Sequence, residues 1–121
     1  MLEIKKKIYE AITKAGLPCY DYLPQVDEYP YAMLTTSNSN DTRYKGAKQN
    51  ILYFTIDIFS NYKGEKQIYE YVYDIDNNIE NLFSLGQVMA INREQLVILN
   101  DTNPILKHGV LIYKITTMEV S

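Results

Sequence analysis

The sequence predicts an α+β fold: a single domain with a mainly antiparallel four- to five-stranded sheet and two helices packed on one face. Three observations carry this prediction. Apolar residues recur at helical spacing in two stretches and alternate at strand spacing in several others. The elements then run helix, two strands, a long polar segment, strand, helix, two strands, with no repeating strand-helix-strand unit. Finally, 121 residues is an ordinary single-domain length, enough to bury roughly two thirds of the surface an unfolded chain exposes.

The first helix is expected over Leu2 to Ala15. Ile4, Ile8, Ile12 and Ala15 stand four, four and three residues apart, with Lys5, Lys6, Lys7, Glu10 and Lys14 on the remaining faces. Gly16 sits where a left-handed cap is wanted, and Pro18 forbids continuation. Cys19 to Leu23 then reads as a short strand with Tyr20 and Tyr22 on one face, stopped by Pro24. Tyr31 to Thr36 is a second strand, opened by Pro30, which a strand tolerates at its first residue.

Ile51 to Ser60 is the strongest strand. Leu52, Phe54, Ile56 and Ile58 point one way; Ile51, Tyr53, Thr55, Asp57 and Phe59 point the other. The first set is wholly apolar and is expected to meet the helices, whereas the second is expected to be partly wet or to meet a partner. From Gly64 to Leu82, Ile68, Val72, Ile75, Ile79 and Leu82 follow helical steps of four, three, four and three, with Ser60 or Asn61 as the expected cap. Glu65, Lys66, Glu70, Asp74, Asp76 and Glu80 lie between them and sum to -4, which reads as a solvated face.

Val88 to Leu99 is expected to be extended, with an interruption at Asn92, Arg93 and Glu94, and Asp101 to Pro104 is a turn by composition. His108 to Met118 closes the sheet, with Leu111, Tyr113 and Ile115 on one side and Val110, Ile112, Lys114 and Thr116 on the other.

The segment from Ser37 to Asn50 remains. It has no apolar residue larger than Ala apart from Tyr44, and it greatly exceeds a hairpin connection, which usually takes about two to five residues. It is therefore read as a long projecting loop at 37–50. Arg43, Lys45 and Lys48 against Asp41 give it a charge of +2, so the rest of the -3 chain sums to -5. Asp41, Arg43, Tyr44, Lys45 and Lys48 are accordingly the candidate interaction residues.

Composition narrows the function classes. A pI near 5.1 argues against general nucleic-acid binding, which shows as a basic face over a whole domain. One cysteine, Cys19, rules out an internal disulfide and is expected to be a small core residue. With no run approaching ~18 apolar residues and no apolar leader, the chain is expected to be cytosolic when made, away from membranes. Twelve tyrosines against three phenylalanines and no tryptophan suit a chain that makes interfaces, and compositional bias of the source genome explains them equally well.

No catalytic, cofactor-binding or metal-binding residues emerge. His108 stands at a strand start without a motif around it and is expected to serve in hydrogen bonding or at the surface. Cys19 has no basic neighbour or helix N-terminus in sequence to activate its thiol. Asp74 and Asp76, two apart on a helix, point to different sides, and the five glycines are isolated, so neither a metal set nor a phosphate-cradling loop is formed.

Three stretches together carry a likeness: Pro24 to Leu34 (PQVDEYPYAML), Phe54 to Gly64 (FTIDIFSNYKG) followed by the acidic helix, and His108 to Ile115 (HGVLIYKI). In these the chain resembles the siphophage tail-completion proteins, the small tail-terminator or head-to-tail joining family, over nearly its whole length. Where that family favours tryptophan, this chain has Phe59. The resemblance implies a non-enzymatic structural protein of the virion, at the tail-neck junction. It implies a hexameric ring of copies of itself that caps the tail tube protein, ends tail growth and docks the head-completion or connector protein, with DNA only passing through the lumen. A different neck adaptor is the rival within this class. From another class the rival is a small single-stranded nucleic-acid-binding module, in which Tyr53, Thr55 and Phe59 beside the basic segment would form a stacking surface.

Overall fold

The structure is a computed structural model describing residues 2–22, 24, 28–44, 47–100 and 106–120; of these, residues 2, 37–48, 119 and 120 are described by backbone alone. Helix α1, Leu2–Lys14, buries Ile4, Ile8, Ala11 and Ile12, the stripe set by the four-residue spacing. It ends as its sequence dictates. Gly16 takes φ +98, and its N–H reaches the Thr13 carbonyl at 3.0 Å while the Leu17 N–H reaches that of Ile12 at 3.4 Å. This double closure satisfies two terminal carbonyls and turns Leu17 back under the helix into the core.

Five strands follow in one sheet, ordered β1-β2-β3-β5-β4. β1 is only Cys19–Tyr20 and runs parallel to β2, Tyr31–Tyr44, at Ala32 and Met33, so the sheet is mixed. The remaining pairs are antiparallel: β2 with β3 (Ala47–Ser60), β3 with β5 (Lys107–Val120), and β5 with β4 (Val88–Asn100). β3 is central, and its alternation is realised as predicted: Leu52, Phe54, Ile56 and Ile58 are buried. Gly109, Leu111, Tyr113, Ile115 and Thr117 of β5 face the same way.

Helix α2, Lys66–Asn78, and the 3-10 segment Ile79–Leu85 cover this inner face beside α1, burying Ile68, Val72, Ile75, Ile79 and Leu82. One continuous core joins both helices to the sheet. Each aliphatic side chain fully withdrawn there contributes on the order of 1.5–3 kcal/mol, so the two helical stripes hold the layers together. Asn78 adds a polar tie, its Nδ2 donating to the Ala11 carbonyl at 3.1 Å. No described helix is long and apolar enough to cross a membrane.

Three expectations are corrected. The segment 37–50 is not a loop: β2 continues through residue 44 and β3 begins at Ala47, and the two are paired from Asn38↔Tyr53 to Tyr44↔Ala47. The polar side chains gave no alternation to read, but a ladder is made by backbone groups, and β3 here is flanked on both sides, with Ala47 to Asn50 also paired to Val120 to Thr117. The one irregularity is a bulge between Thr36 and Asn38. Second, neither Ser60 nor Asn61 caps α2. Glu65 occupies the cap position without a side-chain bond, while the buried Ser60 hydroxyl donates to Gln67 Oε1 and accepts the Tyr62 N–H at 3.1 Å, locking the turn from β3 into the helix. Third, β4 is not broken at Asn92 to Glu94; it bulges between Arg93 and Gln95 and continues. The predicted turn at Asp101 to Pro104 lies outside the described residues.

Candidate assembly surfaces

The sheet face opposite the helices is uncovered. Register places Thr55 beside Ile112, Tyr53 beside Lys114 and Ile51 beside Thr116 on it, a mixture of apolar and polar side chains held at intermediate exposure. Toward one end an aromatic row crosses four elements. Tyr20 meets Tyr31 edge-on at 6.0 Å between ring centroids, Tyr31 stacks on Phe59 at 5.0 Å, and Phe59 stacks on His108 at 4.4 Å. His108 Nε2 also lies 2.7 Å from Asp57 Oδ1. The hydrogen-bonding role expected of His108 is thereby filled by the carboxylate two residues before its stacking partner. Because both faces of Phe59 are taken by neighbours, the row offers ring edges rather than open faces for stacking bases.

Past Thr117, where β4 starts, the sheet narrows to β2, β3 and β5, forming a three-stranded arm. The candidate interaction residues fall on it. Asp41 is paired with Asn50, Arg43 with Lys48, and Tyr44 with Ala47, whereas Lys45 lies outside the described residues. The ladder thus places Arg43 opposite Lys48 near the tip of what the sequence presented as one long loop.

On the helical side, the acidic residues of α2 divide into two groups. Asp76 is structural: it accepts the Tyr113 hydroxyl, and Arg93 Nη1 lies 2.8 Å from its other oxygen. Burial, then the bond to Asp76 and its charge, push the Tyr113 phenol well above its ordinary range. Glu70 and Asp74 instead point outward beside Tyr69 and Tyr73, lining a shallow groove with Lys66. A second groove, of about 540 Å³ like the first, runs between α1 and β1, lined by Lys5, Lys6, Tyr9, Tyr20, Asp21 and Tyr22 among others. Sequence reading identified the tyrosine excess but not these clusters, because their members come from different elements.

Cys19 is buried, and its thiol is pushed up to about 11, chiefly by that burial and further by Asp21, against a smaller opposing effect of Lys5. Among the described residues no group of three or more His, Cys, Asp or Glu could hold a metal ion.

Comparison with known proteins accords with an assembly role. The family model described as "Tail completion protein gp17" matches residues 10–118. Among solved structures, a chain of "Virion of native gene transfer agent (GTA) particle" superposes with a TM-score of 0.72 at 10% identity, covering 95% of this chain and 94% of that one. At that identity the likeness is one of fold. No curated protein matches the sequence.

Proposed function

Since the chain belongs to the tail completion protein family, we propose that it caps the tail tube of a phage-type particle, ends tail growth and joins the tail to the capsid connector. The observation that carries this reading is the family match over residues 10–118, nearly the whole domain. The geometry supports it. A small body with a rigid core leaves one sheet face uncovered, presents tyrosines on its helical side, and extends a three-stranded arm beyond the helices. Surfaces of that kind serve contact rather than turnover, because tyrosine supplies large contact area at small conformational cost.

Copies of the chain form a closed ring, hexameric in this proposal, by repeating one contact between two different patches. The arm reaches the last ring of tube protein or a neighbouring subunit. A lumenal arm is disfavoured, since Arg43, Lys45 and Lys48 would hold phosphates of passing DNA and retard its release.

Electron microscopy of particles produced without this chain tests the reading. Filled capsids beside unattached tails are expected, with overlong tubes if the cap also sets length. Normal tailed particles would refute it.

A further inference from the structure

Two patches on the helical side match each other. The groove between α1 and β1 carries two cations and one anion, Lys5, Lys6 and Asp21, among Tyr9, Tyr20 and Tyr22. The outer face of α2 carries two anions and one cation, Glu70, Asp74 and Lys66, beside Tyr69 and Tyr73. These patches also hold four of the large apolar side chains the monomer leaves exposed: Tyr9 at 46%, Tyr22 at 63%, Tyr69 at 53% and Tyr73 at 68%. Among the described residues, Tyr22 meets only the edge of Tyr20, at 5.7 Å between ring centroids, and stays largely exposed. Lys66 and Glu70 approach only to 3.8 Å with most of both side chains in water, a pairing that contributes little.

We propose that the α1/β1 groove of one copy receives the outer face of α2 from the next copy, and that this is the repeating contact of the ring. The inference rests on the ring reading above and names its interface. A helix laid into a groove is an efficient way to bury an i, i+4 pair such as Tyr69 and Tyr73. The inverted charge patterns fix its orientation: Glu70 and Asp74 toward Lys5 and Lys6, and Lys66 toward Asp21. Charges so arranged select the partner and disfavour groove-to-groove pairing, where like charges would meet. The two patches differ, so the contact is head-to-tail, the kind that builds a ring when the rotation between copies closes.

Charge reversal tests this in particles assembled without the chain and then supplied with it from a plasmid. K5E/K6E alone and E70K/D74K alone should each lower the yield of tailed particles by about tenfold or more, because like charges then face one another. Supplying the two variants together should restore the yield, since each reversed groove meets a reversed helix in an alternating ring. All four positions are on the surface, and circular dichroism melts of each purified variant verify folding. If wild type restores tails and both variants do so equally well, the interface is overturned while the tail role stands. If both variants fail and the mixture also fails, the patches bind something other than a second copy, and the proposal falls. If wild type leaves tails unchanged, the functional reading itself is lost and this inference with it.

Discussion

Cys19 illustrates how burial decides a residue's chemistry. Its side chain is 7% exposed, so ionising it means placing a thiolate among apolar neighbours, and the thiol rises from 9.0 to about 11. A folded-state value above the unfolded one stabilises fully below the unfolded value and loses that contribution as pH climbs through the folded one. The native fold should therefore weaken between pH 9 and about 11, by on the order of 2–3 kcal/mol from this group, as followed by urea unfolding at stepped pH. At neutral pH the same shift leaves the thiolate about a hundredfold scarcer than in the unfolded chain, so a thiol reagent should label native protein correspondingly slowly. Equal labelling of native and unfolded protein would contradict the burial. The sequence reads the lone Cys19 as a small core residue, and it is buried.

At the scale of elements, α2 lies close against β5 at Gly109. A Cβ built on Gly109 would lie 2.8 Å from Cγ2 of Ile68, a branch methyl on a fully buried side chain that cannot swing away. Gly109→Ala should thus force the helix off the sheet and cost roughly 1–3 kcal/mol in chemical denaturation; a neutral outcome would mean the helix is free to shift. Periodicity made the elements themselves legible: the four-residue steps of Ile4, Ile8 and Ile12 and the alternation of Leu52 to Ile58 each commit a segment to one face. It was silent where hydrogen bonding alone holds a strand. The arm's polar sequence offers no apolar alternation, so Ser37 to Asn50 read as loop. The bulge at Glu94, one extra residue in a continuing ladder, likewise imitated a break. The aromatic row escaped for a different reason: Tyr20, Tyr31, Phe59 and His108 are adjacent only through strand order.

For the molecule as a whole, the core and the surfaces offered to partners are separate. The inner sheet face and both helices share one apolar cluster, whereas the arm extends past Val88, the first residue of β4. Stability and assembly should therefore respond to different changes. Replacing residues 38–49 with a short Gly-Ser turn removes the paired ends of β2 and β3 but leaves every core position from Leu52 to Ile58 in register with β5. The truncated chain should keep a single cooperative thermal transition close to that of the full chain, and in the complementation experiment it should fail to attach tails. If tails attach normally, the arm is not the docking element, and the contact with the tube must come from the uncovered sheet face. If the transition collapses instead, the arm's ladder supports the body, and the separation argued from the core is wrong. A cooperative melt with lost attachment would locate docking in backbone-paired, polar strands beyond the core.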